Sequence, residues 1–462
     1  MNKEKLTCVQ NIDSISGNLY DLSIELWKHP ETAFKEHYAT KLLINELKVA
    51  GFEIEENIAG IPTAFIGKWG VGRPYIGYLA EFDALPAQSQ QVITYRQPIK
   101  KDAPGHGCGH NLMAAAHLGA VIAIKNEMEA NGLPGTVFFY GCPAEEVLTG
   151  KVFMARAGVF NDLDCALNFH PGAINGVSLR RLSGLNNVKF NFWGKSSHAS
   201  TAPADGRSGS DAAELMNVGA NYLREHIHSD VRINYVTTNG GQVPNIVPDF
   251  GQTWYFIRAL KREMVNEVYE RLINVAKGAA LMTGVNLEID FQGGCYPTMQ
   301  NKVLAEVVWR ALTEIGPENF TDEELSFASE LNKTCTSAGL PAYGVELKTP
   351  IHDNVLPLWG EGTFAYNSTD IGDVSHIVPT VMFNTACFNT KANLHSWQVT
   401  ACAGHSIGLK GMLYAAKVLS AAGIYLVQEP SIIAKARHEL NTELAGVSYE
   451  CPIPDGVLPP IS

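Results

Sequence analysis

A chain of 462 residues is longer than one hydrophobic core usually supports, so its length predicts two domains. Hydrophobic residues make up 46% and charged residues 18% of the chain, a balance that is typical of a globular protein and excludes a disordered one. The formal net charge is −12 and no run of lysine or arginine stands out, which argues against nucleic acid and anionic membrane surfaces as partners.

The sequence also predicts the compartment. The amino-terminal segment lacks the apolar core of a secretory signal, and there is no stretch of about 18 apolar residues that would predict a membrane span. The nine cysteines are scattered and odd in number, which does not suggest a disulfide framework. We therefore expect a cytoplasmic protein.

The first elements in chain order alternate between helices and buried strands. Apolar residues at helical spacing predict helices over 13–28 and 35–49. Short apolar runs predict three strands, each followed by polar residues: Tyr75–Leu79, Thr136–Tyr140 and Ala166–Phe169. Buried strands separated by helices indicate an α/β domain with a largely parallel sheet. In such sheets functional residues gather beyond the carboxyl ends of the strands.

The pattern changes in the middle of the chain. Strands and helices are predicted there in the order βαββαβ, at 187–193, from Gly209 onward, and at 231–237, 250–259, 262–283 and 286–292. That order is typical of a ferredoxin-like sandwich. Because α/β character resumes after 302, we expect this unit to be an inserted domain of residues 186–297. The first domain is then discontinuous and consists of residues 1–185 and 298–462.

Four further segments complete the prediction. The acidic stretch 317–331 is interpreted as a solvated surface segment, and 346–369 as a long loop. A strand over 379–387 and a very apolar helix over 398–425 are expected to complete the first sheet.

Cys108 and His110 form the first group of residues with chemical potential. They stand two apart in a glycine-rich turn ahead of a predicted helix, where a thiolate and an imidazole can point at one cation. The segment alone leaves two other interpretations open. It could be a turn with a filler cysteine, or a nucleophilic Cys–His pair activated by the helix amino terminus.

Glu145 and Glu146 follow a predicted buried strand. Adjacent carboxylates repel each other unless a cation holds at least one, and metal hydrolases need one carboxylate as ligand and another as general base. His170 ends a further strand, and His395 precedes the apolar helix. Each feature alone could be an ordinary polar terminus. Together with Cys108, they form a donor set that favours zinc or manganese over calcium or magnesium.

Other polar residues suit supporting roles. Glu81 and Asp83 lie at a strand end, where a carboxylate can orient a ligand imidazole. His198, Asn245 and Arg258 lie in the inserted domain and would suit an oxyanion donor and a clamp for a substrate carboxylate. Arg258 could equally be a surface residue of its strand.

Nine motifs occur in order along nearly the whole chain. They are HPE at 29–31, EFDALP at 81–86, GHGCGHN at 105–111, GCPAEE at 141–146, NFHP at 168–171, GKSSHAS at 194–200, NIVPD at 245–249, STDIGDVS at 368–375 and LHSW at 394–397. In this order they resemble the M20 family of metallopeptidases and amidohydrolases. The similarity is to the branch of N-acyl-amino-acid amidohydrolases, p-aminobenzoyl-glutamate hydrolases and related dipeptidases.

The resemblance implies hydrolysis of an amide bond in a small N-acyl or aminoacyl amino acid. It implies two divalent metal ions, Zn²⁺ or Mn²⁺, held by Cys108, His110, Glu146, His170 and His395. Glu145 would be the general base and Asp83 would orient a ligand, while Asn245 and Arg258 would bind the carboxylate end of the substrate. The inserted domain would form a lid that pairs two chains in a homodimer. His198 would then reach the partner's site and stabilise the oxyanion.

The chain departs from the family pattern at three positions. Glu81 stands where the wider family has a histidine, and Cys108 is expected to bind metal instead. Asn111 replaces an aspartate after the Cys-Gly-His motif, which favours the p-aminobenzoyl-glutamate and dipeptidase side. His376 replaces an expected tryptophan and would alter the wall of the pocket.

Two other hypotheses give different expectations. A cysteine hydrolase that uses Cys108 would be inactivated by thiol alkylation and indifferent to chelators. A non-catalytic binding protein on the same fold would bind metal or ligand without turnover.

Overall fold

The computed structural model describes residues 3–336 and 349–461. Helices before residue 184 are α1 (Lys3–Ser14), α2 (Ser16–Lys28), α3 (His37–Val49), α4 (His110–Asn131) and α5 (Gly150–Arg156). Strands there are β1 (Glu53–Glu56), β2 (Phe65–Val71), β3 (Tyr75–Glu81), β4 (Gly135–Cys142), β5 (Cys165–Gly172) and β6 (Arg181–Leu182).

The rest of the chain forms an inserted unit and a return to the first sheet. The inserted unit is β7 (Gly184–Trp193), α6 (Gly209–Leu223), β8 (Arg232–Asn239), β9 (Phe250–Ala259), α7 (Arg262–Thr283) and β10 (Asn286–Cys295). The elements after it are α8 (Lys302–Ile315), α9 (Asp322–Thr334), β11 (Phe364–Ala365), α10 (Ile371–Ser375), β12 (Thr380–Ala386), α11 (Trp397–Ala403), α12 (Ser406–Gln428) and α13 (Pro430–Leu444).

The larger sheet has the strand order β1-β2-β4-β3-β5-β12. The strands β4, β3, β5 and β12 run parallel, whereas β1 and β2 are added antiparallel at one edge. Side chains alternate between two covered faces: Tyr78 of β3 packs in the core with α4 and α12, and Leu79 lies in the core of the opposite face. Because both faces are buried, these strands are continuously apolar in sequence.

The smaller sheet has the order β10-β7-β9-β8 and is antiparallel throughout. The helices α6 and α7 pack against it and against each other, so that Met216 and Leu272 share a core with Val188 and Tyr255. This is the ferredoxin-like arrangement. The predicted class, a mainly parallel α/β domain with an inserted ferredoxin-like unit, is confirmed.

The apolar helix predicted over 398–425 is in fact two helices, α11 and α12. The chain turns at Gly404, where a Cβ would lie 2.5 Å from the Trp27 ring. His405 then caps α12, since its Nδ1 accepts the backbone N–H of Ile407. Among the described residues, α12 alone has the length and apolar composition to cross a membrane. However, 89% of its most apolar 18-residue stretch is buried inside the protein. Packing in the core therefore accounts for its apolar character.

The acidic stretch 317–331 is not the solvated segment that its charge suggests. It contains most of α9, which begins with a capping box between Thr321 and Glu324 and buries Ala328 and Leu331. The acidic residues of its first turn suit the positive end of the helix. Apolar residues spaced three to four positions apart form the buried face of this helix, although charged residues lie between them.

The predicted loop at 346–369 lies partly outside the described residues, which resume at 349. From 349 to 369 its only strand is β11, which pairs in parallel with β6. The strands β1 and β2, at one side of the larger sheet, were not predicted, because their exposed, charged positions break the apolar pattern.

Candidate metal centre and active site

The candidate site lies at the carboxyl ends of β3, β4 and β5. Polar residues follow these three neighbouring parallel strands at this edge of the sheet. The helix α4 begins at the same edge, at His110. Gly109 precedes α4 with φ of 81°, and a Cβ at this position would lie 2.8 Å from the Phe388 ring. Only glycine fits this turn without strain, and the turn brings Cys108 beside the first residue of α4.

Three groups of three donor atoms lie at this edge, each with its atoms within 4.8 Å of one another: one is Glu81, His110 and Glu145, and the other two share Cys108. Of these two, one contains Cys108, His110 and His170, and the other contains Cys108, Glu146 and His395. The Cys108 Sγ is 3.3 Å from Nε2 of His170, and Nε2 of His395 is 3.2 Å from Oε2 of Glu146. Because Cys108 belongs to both of these groups, their five residues form one continuous set of candidate metal ligands.

Donor atoms in these groups are buried without a hydrogen-bond partner among the described residues. They include Nε2 of His110 and Oε1 of Glu146. Burying unpaired polar atoms is costly, and a bound cation removes that cost. Imidazole, thiolate and carboxylate together suit a borderline cation such as zinc or manganese. The residues therefore fit a metal centre.

The imidazoles of His110, which is buried, and His170, which is partly buried, are held with Nε2 directed into the site. His110 Nδ1 donates to Asp83, whose main-chain oxygen and Oδ1 are both 3.0 Å away. His170 Nδ1 donates to the Pro171 carbonyl oxygen at 2.8 Å. Such contacts fix the tautomer and the ring orientation of metal ligands. Asp83 lies where an orienting carboxylate is needed.

His395 reaches the site from the loop ahead of α11. Its backbone N–H donates to the Gly107 carbonyl oxygen at 2.8 Å, which ties this loop to the turn that carries Cys108. Its φ of 65° is left-handed, an uncommon conformation for a residue other than glycine. The side chain is 55% exposed, unlike the buried His110.

The environment of Cys108 does not suit a nucleophile. Burial and the nearby Glu146 raise the pKa of the Cys108 thiol well above its usual value, despite the opposing effect of His110. A reactive cysteine needs the opposite shift. A bound divalent cation would deprotonate the thiol directly, so the surroundings favour a ligand role.

Glu145 lies beside the two donor groups that share Cys108 and is 7% exposed. Its Oε2 is 3.9 Å from Nε2 of His110. Burial, followed by the charges of Glu81 and Glu146, raises the pKa of Glu145 well above its usual value. A carboxyl group whose pKa is raised is suited to exchange protons with a reacting group.

A buried lysine that the motifs did not reveal supports the acidic side of the site. Lys151 Nζ is 2.7 Å from Oε1 of Glu81 and also contacts Asp370, which accepts the Lys151 backbone N–H at 2.8 Å. Although burial opposes it, Lys151 lowers the pKa of Glu81, and the other oxygen of Glu81 is 3.4 Å from His110 Nε2. A charged residue directly before the apolar run Val152–Met154 was the sequence signal for this buried cation.

The candidate residues of the inserted unit have surroundings away from the candidate ligands in the part of the chain that the structure describes. His198 is exposed, and its Nδ1 accepts the N–H groups of Ser200 and Thr201. Asn245 is exposed on the adjoining loop. Arg258 is partly buried at the junction with the first domain, where it donates to Ser368 Oγ at 2.8 Å. Among the described residues, none of these three side chains is hydrogen-bonded to a candidate ligand.

Asn111 and His376, two of the departures from the family pattern, each connect different parts of the chain. The Asn111 side chain donates to Ser23 and to the Ala403 carbonyl oxygen, so it joins α4 to α2 and α11. The ring of His376 packs against Tyr296 at a centroid distance of 4.6 Å, where the chain leaves the inserted unit.

A shared thiolate, three imidazoles and two glutamates at the end of a parallel sheet define the class of metal-dependent hydrolases. The sequence pattern of Peptidase family M20/M25/M40 matches residues 77–353, more than half of the chain, which therefore belongs to the M20 family. It is a metallo-amidohydrolase or peptidase that acts on small-molecule amides.

Relatives of known activity match the chain over nearly its whole length. It is 37% identical over 457 residues to one subunit of the p-aminobenzoyl-glutamate hydrolase from Escherichia coli (strain K12), and the match covers 95% of each chain. It is 27% identical over 454 residues to Xaa-Arg dipeptidase from Mus musculus, and this match covers 95% of this chain and 93% of the relative.

Solved structures share the fold at lower identity. A dinuclear metal-binding peptidase of the M20 family from Bacillus subtilis aligns with a TM-score of 0.59 and 18% identity, over 90% of this chain and 99% of that one. An aminobenzoyl-glutamate utilization protein from Klebsiella pneumoniae aligns with a TM-score of 0.58 and 16% identity, over 87% and 97%.

Proposed function

We propose that the protein cleaves the amide bond of a dipeptide, an N-acyl amino acid or a p-aminobenzoyl-glutamate-like compound. The observation that carries this proposal is the pair of donor groups that share Cys108 beside the buried carboxyl group of Glu145. The relative that is 37% identical supports p-aminobenzoyl-glutamate as the first substrate to test, and the dipeptidase supports dipeptides as the second.

The residues of the site have separate tasks in the proposed mechanism. Two divalent cations, zinc or manganese, would polarise the scissile carbonyl and lower the pKa of the attacking water when bound by the five ligands. Glu145 accepts a proton from this water as it attacks, and passes the proton to the departing nitrogen. Asp83 holds the ring of His110 in place. Asn245 and Arg258 bind the carboxylate end of the substrate, which for Arg258 requires exchange of its contact with Ser368.

His198 completes the site of a partner subunit in this proposal and donates to the oxyanion. Among the described residues, His198 is hydrogen-bonded to none of the candidate ligands of its own chain, which supports a role in trans. The inserted unit also offers a surface for pairing. Along α6, Leu215, Val218 and Tyr222 are 37%, 50% and 73% exposed, and the neighbouring β8 is a sheet edge. The expected homodimer would form there. The expected cytoplasmic location stays a prediction.

Substitution of two adjacent glutamates separates proton transfer from metal binding. Glu145→Gln should lower kcat by at least about 10²-fold while it retains two metal ions per chain, because only the base is lost. Glu146→Gln is the matched control and should lose metal as well as activity, since it removes a ligand. Metal content by mass spectrometry and steady-state kinetics measure both effects. Full activity in Glu145→Gln would contradict the assignment of Glu145 as the general base.

Chelation of the purified protein tests the metal requirement and the substrate class together. Activity on a panel of p-aminobenzoyl-glutamate, dipeptides and N-acyl amino acids should disappear on chelation and return with zinc or manganese. Activity that survives verified removal of the metal would contradict the proposal.

A further inference from the structure

The turn that carries Glu145 is built from backbone conformations that its residues do not favour. Glu145–Val147 forms a single 3₁₀ turn between Ala144, with φ of 59° and ψ of 36°, and Leu148, with φ of 58° and ψ of 41°. Residues with a Cβ rarely adopt this left-handed conformation, and they keep it only where the surroundings hold them. The direction in which Glu145 points therefore depends on contacts from outside the turn.

Glu36 supplies one of these contacts. It lies ahead of α3, its side chain is completely buried, and it is 108 positions away from Ala144 in the sequence. Its Oε1 accepts the backbone N–H of Ala144 at 2.9 Å and that of Phe34 at 3.0 Å. Phe34 is also left-handed, with φ of 63°. One carboxylate oxygen thus holds two backbone positions that are unfavourable by themselves.

Asp83 holds the other side of the same turn. Its Oδ2 accepts the backbone N–H of Glu146 at 2.9 Å. The backbone N–H groups of the residues immediately before and after Glu145 are therefore each held by a buried carboxylate from a different part of the chain. Asp83 also contacts His110, but Glu36 is hydrogen-bonded to none of the five candidate ligands among the described residues. Glu36 can thus affect the base without touching the metal centre.

We propose that Glu36 is a positioning residue, which aims the Glu145 carboxylate by accepting the N–H of Ala144. The inference rests on the proposed role of Glu145 as the base. Acceptance of a hydrogen bond needs an oxygen atom and not a negative charge. An amide at position 36 can therefore replace the carboxylate, whereas an apolar side chain of similar length cannot.

The experiment compares Glu36→Gln with Glu36→Met in the metal-loaded enzyme. Glu36→Gln keeps the acceptor oxygen and should retain kcat within about threefold, whereas Glu36→Met should lower kcat by about 10²-fold, because small misplacement of a catalytic group is costly. Both variants should keep the wild-type KM and two metal ions per chain. Hydrogen–deuterium exchange should speed up at Ala144 in Glu36→Met and not in Glu36→Gln, a readout that does not depend on activity.

The same pair of substitutions is repeated with Ala144→Gly, since glycine adopts the left-handed conformation without strain. In the Ala144→Gly background, the ratio of kcat between Glu36→Gln and Glu36→Met should fall at least about threefold but stay above one. If Glu36→Met alone does not fold, this background is the one in which to compare the two variants. Wild-type kcat in Glu36→Met would overturn the proposal. So would loss of metal, or a Glu36→Gln variant as slow as Glu36→Met.

These outcomes are separable from a failure of the proposed function. If Glu145→Gln is inactive and Glu36→Met is normal, the positioning role alone is wrong. If Glu145→Gln is fully active, the proposed base is wrong and the role of Glu36 falls with it.

Discussion

At the scale of single residues, Asp373 is a buried acid at the point where the inserted unit rejoins the first domain. Its Oδ2 accepts the N–H of Tyr296, directly after β10, at 3.1 Å, and its Oδ1 accepts the Tyr449 hydroxyl at 2.8 Å. Burial raises the pKa of Asp373 to about 7, against 3.8 in the unfolded chain, although both hydrogen bonds oppose the shift. Folding therefore favours the protonated acid.

This shift predicts how stability changes with pH. For an acid whose pKa is raised on folding, the stabilising contribution is full below the unfolded value near 4 and is lost as the pH rises towards 7. Asp373→Asn removes the titration but keeps an acceptor for Tyr296 and a group that can bond Tyr449. The thermal midpoint of Asp373→Asn minus that of wild type should therefore increase by a few degrees as the pH is raised from about 4 to about 8. A constant difference across this range would contradict the assignment.

The residues that the sequence could and could not reveal differ in where their partners lie. Cys108 and His110 share one short motif, so their common use could be predicted locally. Lys151 and Glu36 depend on partners that are far away: Lys151 contacts Asp370 across 219 positions. No periodicity or spacing encodes such a contact, because it exists only after the sheet has formed. Buried positioning groups are therefore the part of this site that motif reading misses.

At the scale of elements, two helices contain glycines in opposite surroundings. Gly411 of α12 faces the end of β12, and a Cβ there would lie 2.5 Å from both the Ala386 carbonyl oxygen and Cys387 Sγ. Gly278 of α7 has no neighbouring atom within 4 Å of the same position. The first glycine permits close packing of a helix on the sheet, and the second only lowers helix propensity.

Substitution by alanine should therefore have opposite effects on stability. Gly411→Ala should lower the free energy of unfolding by about 1–3 kcal/mol, because backbone and sulfur atoms must move apart. Gly278→Ala should raise it by about 0.5–1 kcal/mol, since alanine favours the helix and meets nothing. Urea unfolding of each variant measures both effects. Equal changes of the same sign would show that packing of α12 on β12 is not the deciding factor.

The strands β3, β4 and β5 could be predicted from sequence because they are buried. They are covered on both faces, so each is a continuous apolar run in the sequence. The break between α11 and α12 was not, because apolar residues continue on both sides of Gly404 and the cap is a histidine. A helix boundary inside a core gives no change in hydrophobicity to detect.

At the scale of the whole molecule, the first domain carries the candidate ligands and the base, whereas His198 lies exposed on the inserted unit. The exposed apolar residues of α6 beside the free edge of β8 offer a surface on which two inserted units can pair. The E. coli relative is one subunit of its enzyme, so a different partner chain is the competing assembly. Function in trans provides a way to decide between them.

Mixing two inactive variants tests whether His198 acts across a homodimer. His198→Ala and Glu145→Gln should each be nearly inactive alone. In a mixed dimer, one site combines an intact Glu145 with an intact His198 from the other chain, while the second site carries both defects. Random exchange makes half of the dimers mixed, so activity should recover to about a quarter of wild type. If both variants are inactive alone and the mixture stays inactive after verified subunit exchange, His198 acts within its own chain. A protein that remains monomeric until a different chain is added would instead assign this surface to a heteromer.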